Sequence, residues 1–187
     1  IGKGTERVPC EGQILGCNYS AIRVIQPSVD ANVYFGDGYF HSLGLVYATK
    51  KPVFAVNPIQ GTIEILGEKE RDKMLRKRFA AIAKASQAKS FGIIVSVKSG
   101  QRQKEKALDL KKVIESRGLK AYLLECDFVN ESNFTGIDVD CLVNTACNRI
   151  VIDDAENWKK IILNPTECLI AIGEKKWEEW SPDEFLH

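Results

Sequence analysis

The six cysteines of this chain lack any local grouping. Cys10, Cys17, Cys126, Cys141, Cys147 and Cys168 form no CxxC pair and no CxxxCxxC run. That excludes a zinc ribbon, a thioredoxin-type redox pair and the usual compact triad of a radical enzyme. No apolar run approaches the ~18 residues a membrane helix needs. Charge of one sign is lacking as well: the formal net charge is +1, so no global field argues for a nucleic acid or a membrane surface as partner. No Gly-x-Gly-x-x-Gly stretch occurs, which argues against a dinucleotide fold and a Rossmann-like methyltransferase. Histidine is scarce, at His41 and His187, and Met74 is the single methionine. The opening Ile1 to Gln13 is polar with no apolar centre, so no secretion signal is expected and the cytoplasm is the expected location. The chain does not open on Met, and Ile1 reads as the start of a fragment or of a processed chain.

What is present is an ordinary core. Apolar residues make up 44% of 187 residues, enough to bury one or two small domains without disulfides. Gln13 to Leu15 reads as a first short strand. Ala31 to Phe35 is a strand, Phe40 to Thr49 a helix with Phe40, Leu43, Val46 and Tyr47 inward, and Pro52 to Val56 a second strand stopped by Asn57–Pro58. Thr62 to Leu66 alternates weakly, as an edge strand does. Gly67 reads as a domain boundary, giving a first domain over 1–67 and a second over 68–187.

The second domain opens with an amphipathic helix, Glu68 to Lys89, whose expected inner face is Leu75, Phe79 and Ile82. Phe91 to Val97 is a fully apolar strand of the parallel-sheet type. A helix over Arg102 to Arg117 should bury Ala107, Leu110 and Ile114 and end at Gly118. Ala121 to Glu125 is a strand and Phe128 to Gly136 a polar loop. A strand then leads to Cys147, a short helix is expected over Asp154 to Lys160, and Thr166 to Ile172 is expected to close the sheet. Alternating strands and helices predict a parallel α/β sheet.

Two stretches share one design. Gly12 to Gln26 and Asp138 to Asp154 each read as an apolar pair, a small residue, Cys, Asn, Arg and an apolar run, around Cys17 and Cys147. A repeated element is the mark of a duplicated unit. A cysteine delivered at the end of a strand suits a thiolate ligand for iron; the alternative is two buried core thiols. Cys126, Cys141 and Cys168 lie in apolar runs and read as core, and Cys10 as a surface thiol.

The segments GQILGC, FGDGYFHSLGL, SVKSGQ and VNTACNRIVID, in that order, resemble the diphthamide synthase family, the 2-(3-amino-3-carboxypropyl)histidine synthases. The resemblance runs from about Gly12 to Glu167. It implies repeated small Rossmann-like α/β domains, each contributing one cysteine to a single [4Fe–4S] cluster. Cys17 matches the cysteine of the middle domain and Cys147 that of the last. On this reading the last domain is complete and the middle one partial, while the first domain and its cysteine are absent. Asn148 stands where the family has Pro, which changes backbone stiffness but not the ligand.

The resemblance also implies the chemistry. S-adenosylmethionine binds at the cluster, the bond from sulfur to Cγ of its methionine chain is cleaved, and a 3-amino-3-carboxypropyl group passes to a histidine of translation elongation factor 2. The chain by itself is then expected to be inactive. A homodimer of archaeal type is expected, with neither nucleic acid nor membrane as partner. Arg149 could grip a carboxylate of the ligand or pair with Asp153 or Asp154. Ser99, Gly100 and Gln101 are a βα loop whose N–H groups could hold an anion. His41 is either near the ligand or a structural hydrogen-bonder. Trp177 and Trp180 read as packing. Two other readings stand beside this one: a quinolinate synthase-like iron–sulfur enzyme, told apart by its product, and a non-catalytic partner subunit of the same family.

Overall fold

In a computed structural model of the chain, residues 1–153 and 155–185 are described, Glu156 by its backbone alone. The chain divides into two compact units. One holds residues 1–76 and the end of the chain from Ser181, the other residues 77–180.

The first unit contains α1 (Ser20–Ile25), β1 (Asn32–Phe35), α2 (Tyr39–Thr49), β2 (Val53–Asn57) and β3 (Thr62–Leu66), followed by the start of α3 (Glu68–Ala85). The strand order is β1-β2-β3, with β1 and β2 parallel and β2 and β3 antiparallel. Asn57 ends β2 because its Oδ1 accepts from the N–H groups of Ile59 and Gln60, an Asx turn that takes over from the ladder. Register puts Asn32, Val53 and Leu66 in one row on the inner face, and all three are buried. They pack with Tyr19, Leu45 and Val46. Phe40, Leu43, Val46 and Tyr47 of α2 are buried as the spacing predicts.

Gln13 to Leu15 is not a strand. Leu15 pairs only with Asn18, three residues on, in an isolated bridge. The apolar run that follows is not extended either: Ile22 to Ile25 belongs to α1. Among the described residues no strand lies beside Leu15 to extend the ladder, and the chain turns at Gly16 and Cys17 instead.

The second unit is an all-parallel sheet, β4 (Ser90–Ser96), β5 (Lys120–Cys126), β6 (Cys141–Asn144) and β7 (Ile161–Leu163), in the order β5-β4-β6-β7. Its helices are the later part of α3, α4 (Lys104–Ser116), α5 (Arg149–Ile152) and α6 (Pro165–Ala171). Alternate residues of the central strands feed two cores. Phe91, Ile93, Val95, Cys141 and Val143 join Ala107, Leu110 and Ile114 of α4 and Cys168 of α6. Ile94 and Leu142 join Val151 of α5 and Phe134 on the other face. Both faces are covered, which is why β4 reads as a continuous apolar run. Gly118, at φ 74°, ends α4 as expected.

Three expectations are corrected. Thr166 to Ile172 is not the closing strand: β7 is Ile161–Leu163, and Pro165–Ala171 is helix. Asn164 caps that helix, Pro165 occupies its first turn, and the Glu167 side chain accepts from the Asn164 N–H at 2.9 Å, a capping box followed by a helix-starting proline. The helix expected over Asp154 to Lys160 is a short α5 at Arg149–Ile152 and a 3₁₀ turn at Ala155–Asn157; Asp154 itself lies outside the described residues. On α3, the buried stripe is Met74, Arg78, Ile82 and Ala85, whereas Phe79 is 53% exposed with its ring edge-on to Trp177. A charged residue sits in the stripe because it has a charged partner inside, which apolar periodicity does not register.

Candidate metal centre

Strand order in the second unit reverses between β4 and β6. In open parallel sheets the crevice at the carboxyl ends of the two strands flanking that reversal is where ligands bind. The loop after β6 is Thr145 to Asn148 and carries Cys147; the loop after β4 carries Ser99, Gly100 and Gln101. The two predicted segments of this unit therefore share one sheet edge.

Cys147 is half-buried, and its loop is held by Asn144. The Asn144 Oδ1 accepts from the Ala146 N–H at 3.1 Å, and its Nδ2 donates to the Cys147 carbonyl at 3.0 Å. Thr145 donates its N–H and hydroxyl to the Ile94 carbonyl at 3.2 and 2.7 Å, tying the loop to β4. Asn148 has φ −59° and ψ −23° at the N-cap of α5. That φ is the value proline would impose, so the backbone keeps the family's angle without proline.

Cys17 belongs to the first unit. It is half-buried at the second position of the Gly16–Cys17 turn, which is closed by Leu15 N–H to Asn18 C=O (3.2 Å) and Asn18 N–H to Leu15 C=O (3.0 Å). Gly16 is required for space: a Cβ there would lie 1.8 Å from Phe40 Cε1. The Tyr19 hydroxyl donates to the Gly16 carbonyl at 2.8 Å. From the end of the chain, the Phe185 N–H donates to the Cys17 carbonyl at 2.7 Å. Asn18, fully buried, donates to the Phe185 carbonyl at 2.8 Å and to Thr5 Oγ1 at 3.1 Å. Glu184 accepts from the Tyr19 N–H at 3.0 Å and from Arg23. Each candidate cysteine thus lies in a tight turn just ahead of a short helix, with a buried asparagine holding the turn.

The other predicted residues fall as follows. In the 98–101 turn, Gly100 has φ +78° and the Gln101 N–H is used on the Lys98 carbonyl at 3.1 Å. Helix α4 begins only at Lys104, two residues later than the expected Arg102, so this loop is a turn and not the helix terminus itself. Arg149 is 62% exposed and lies 3.4 Å from Asp153, the partner that the ion-pair alternative names. His41, in the first turn of α2, stacks on Tyr34 at 6.2 Å and meets Phe40 edge-on at 5.6 Å. His187 lies outside the described residues.

None of the six cysteines is in a disulfide. Cys141 and Cys168 are fully buried, and burial pushes the Cys141 thiol well above its usual range. Burial, with Asp127 nearby, also raises the Cys126 thiol. Cys141 and Cys168 sit in one core cluster and Cys126 packs against the other, so these three suit packing better than iron. Cys10 is exposed. Among the described residues no group of three His, Cys, Asp or Glu side chains converges as a metal set. The donor chemistry of Cys17 and Cys147, soft thiol sulfurs on half-buried turns, fits iron–sulfur ligation in kind.

Sequence reasoning missed what stands behind these cysteines. Asn164, Glu167 and Arg78 lie outside the quoted motifs, Asn144 lies inside VNTACNRIVID without being singled out there, and the tail around Phe185 reads only as acid- and Trp-rich. The one legible signal was Asn164-Pro165-Thr166-Glu167, a capping box.

Comparison with known proteins shows the family. A family model described as “Putative diphthamide synthesis protein” matches residues 1–181. The chain is 38% identical over 186 residues to a 2-(3-amino-3-carboxypropyl)histidine synthase of Pyrococcus horikoshii, covering 100% of this chain and 52% of the relative. A protein of the same name from Methanocaldococcus jannaschii is 31% identical over 161 residues, 83% of this chain and 47% of the relative. The crystal structure of Dph2 from Pyrococcus horikoshii with a 4Fe–4S cluster superposes with a TM-score of 0.88 at 36% identity, over 100% of this chain and 52% of that one. The chain spans about half the length of the relatives it matches. With a family match over residues 1–181 and a structural match over the whole chain in agreement, the chain belongs to the diphthamide synthesis protein family.

Proposed function

We propose that this chain is the part of a 2-(3-amino-3-carboxypropyl)histidine synthase that supplies two of its three cluster cysteines, Cys17 and Cys147. The observation that carries the reading is the position of Cys147, on the loop at the sheet's topological switch point, pinned by Asn144 at 3.0 Å. In the whole enzyme the reaction breaks the bond between sulfur and Cγ of S-adenosylmethionine. It forms a carbon–carbon bond to an imidazole carbon of elongation factor 2 and releases methylthioadenosine and the ring proton. A bound [4Fe–4S] cluster would supply the electron that starts the cleavage, and one electron is given up again as the ring proton leaves, so the transfer is redox-neutral overall. The protein's share is to orient the ligand and exclude water. The 98–101 turn, with the Ser99 and Gly100 N–H groups, and Arg149 grip the amino-acid end. Exposure leaves the Arg149 guanidinium able to exchange Asp153 for a carboxylate of the ligand, since an exposed i,i+4 pair is worth only about 0.3–0.5 kcal/mol. His41, in the first unit, is a further candidate for ligand binding. A homodimer in the cytoplasm, beside its protein substrate, completes the reading.

Anaerobic reconstitution with iron and sulfide tests it, on this chain and on a chain extended to the length of the relatives. The extended chain takes up a cluster, seen by charge-transfer absorbance and by EPR after reduction, and releases methylthioadenosine. Cys17→Ala or Cys147→Ala abolishes both. This chain alone loads iron poorly and releases none. A cluster that survives both substitutions would return the two cysteines to packing, and a cluster without methylthioadenosine release would indicate a non-catalytic partner subunit.

A further inference from the structure

A continuous buried polar chain runs from α3 to the Cys147 loop. Arg78 donates Nε and Nη2 to the two carboxylate oxygens of Glu167 at 2.8 and 2.7 Å. Glu167 accepts from the Asn164 N–H at 2.9 Å, and the Asn164 Oδ1 accepts from Asn144 Nδ2 at 3.3 Å. Asn144 then holds both Ala146 and Cys147 by their backbones. Arg78, Glu167, Asn164 and Asn144 are 4%, 2%, 4% and 0% exposed. Arg78 also reaches the far side of the loop: its Nη1 donates to the Val151 carbonyl at 3.2 Å, in the four-residue helix that begins two residues after Cys147.

A helix of one turn does not hold itself together, so the Cys147 loop takes its shape from what grips its two ends. Apolar packing could fill the same volume as a buried ion pair with no loss of stability, but it has no direction. Directed hydrogen bonds fix where one backbone carbonyl, and hence one side chain, must sit. From this geometry we infer that Asn144 is a positioning residue for Cys147, aimed by Asn164, Glu167 and Arg78, so that the thiol is set before iron arrives. The inference rests on Cys147 being a cluster ligand. Partners behind a metal ligand orient it in the same way.

The test uses the reduced chain without iron. Alkylation by iodoacetamide is followed cysteine by cysteine by mass spectrometry in the parent chain, Asn144→Asp and Asn164→Ala. Asn144→Asp keeps the acceptor for the Ala146 N–H and removes the donor to the Cys147 carbonyl. Expected is a several-fold change in the Cys147 rate alone, with Cys17 and Cys10 unchanged and Cys141 and Cys168 still protected. In the extended chain, iron affinity after reconstitution falls about tenfold or more. An unchanged Cys147 rate in a folded variant overturns the inference. So does exposure of Cys141 and Cys168 together with Cys147, which would mean general loosening. If Asn144→Asp does not fold, Asn164→Ala decides by the same criteria. Failure of the cluster reading looks different: the Cys147 rate shifts on substitution while the extended chain, with or without the substitutions, takes up no iron.

Discussion

Arg78 and Glu167 meet in a two-pronged ion pair, Nε to Oε1 at 2.8 Å and Nη2 to Oε2 at 2.7 Å, with side chains 5% and 2% exposed. The Trp180 indole also donates to Glu167 Oε1 at 3.3 Å. Removing one partner leaves a buried charge with nothing to balance it. Arg78→Ala or Glu167→Ala should therefore destabilise the second unit by about 3–5 kcal/mol. The paired change Arg78→Met with Glu167→Leu should cost much less, because the volume is kept and no charge is stranded. Urea unfolding of the three variants measures the difference. A double variant as unstable as the singles would mean that shape, and not charge, decides this site.

Asn18 links the Cys17 turn to the end of the chain. Its Nδ2 serves Phe185 and Thr5, and its Oδ1 accepts from the N–H and hydroxyl of Ser20 at 3.1 and 2.6 Å. Asn18→Ala should cost about 1–3 kcal/mol, the penalty for buried polar groups left without partners. Cys17 should also become faster to alkylate as its turn loses the grip of Phe185. Equal Cys17 rates in parent and variant would show that the Leu15–Asn18 bridge alone shapes the turn.

Asp140 carries a pH dependence of known sign. Its Oδ2 accepts from the N–H groups of Lys89 and Ser90 at 2.9 Å each and from the Ser90 hydroxyl at 2.8 Å. The Lys89 N–H, then the Ser90 hydroxyl, hold the carboxyl below its usual range. An acid lowered by folding stabilises above its unfolded value, about 3.9 for Asp. That stabilisation is lost as pH falls through the lower folded value. Asp140→Asn should thus shrink the drop in urea midpoint between neutral pH and the acid range, by removing one group that titrates there. An unchanged drop would assign acid sensitivity to other carboxylates.

The outer face of the β1-β2-β3 sheet is apolar and exposed among the described residues of its unit. Register aligns Val33, Phe54 and Ile65 in one row and Phe35, Val56 and Ile63 in the next. Val33, Phe35, Ile63 and Ile65 are 68%, 71%, 66% and 65% exposed. Patches of this kind drive association. The isolated chain should bind a hydrophobic dye and self-associate in analytical ultracentrifugation. Ile63→Lys with Ile65→Lys should reduce both while changing stability by no more than about 0.5 kcal/mol per site. A monodisperse parent chain would refute the expectation.

The α/β class, the inner faces of α2 and α4 and the two candidate cysteines are legible in the residues alone. Those features depend on short-range regularities: apolar residues at helical or strand spacing, a glycine after a helix, a cysteine within a recognisable motif. The run Phe91 to Val97 reads as a strand covered on both faces, and the strand is Ser90–Ser96. The tertiary structure decided the rest. That Arg78 points inward depends on Glu167, 89 residues away, and that Asn18 is buried depends on Phe185, 167 residues away. Helix α3 presents Met74 and Arg78, not Leu75 and Phe79, because a stripe is chosen by what faces it as much as by its own apolar content. Leu15 fails to make a strand for a similar reason, since a strand exists only where another lies beside it. A polar residue's value is set by its partner, and the partner becomes adjacent only when the chain folds.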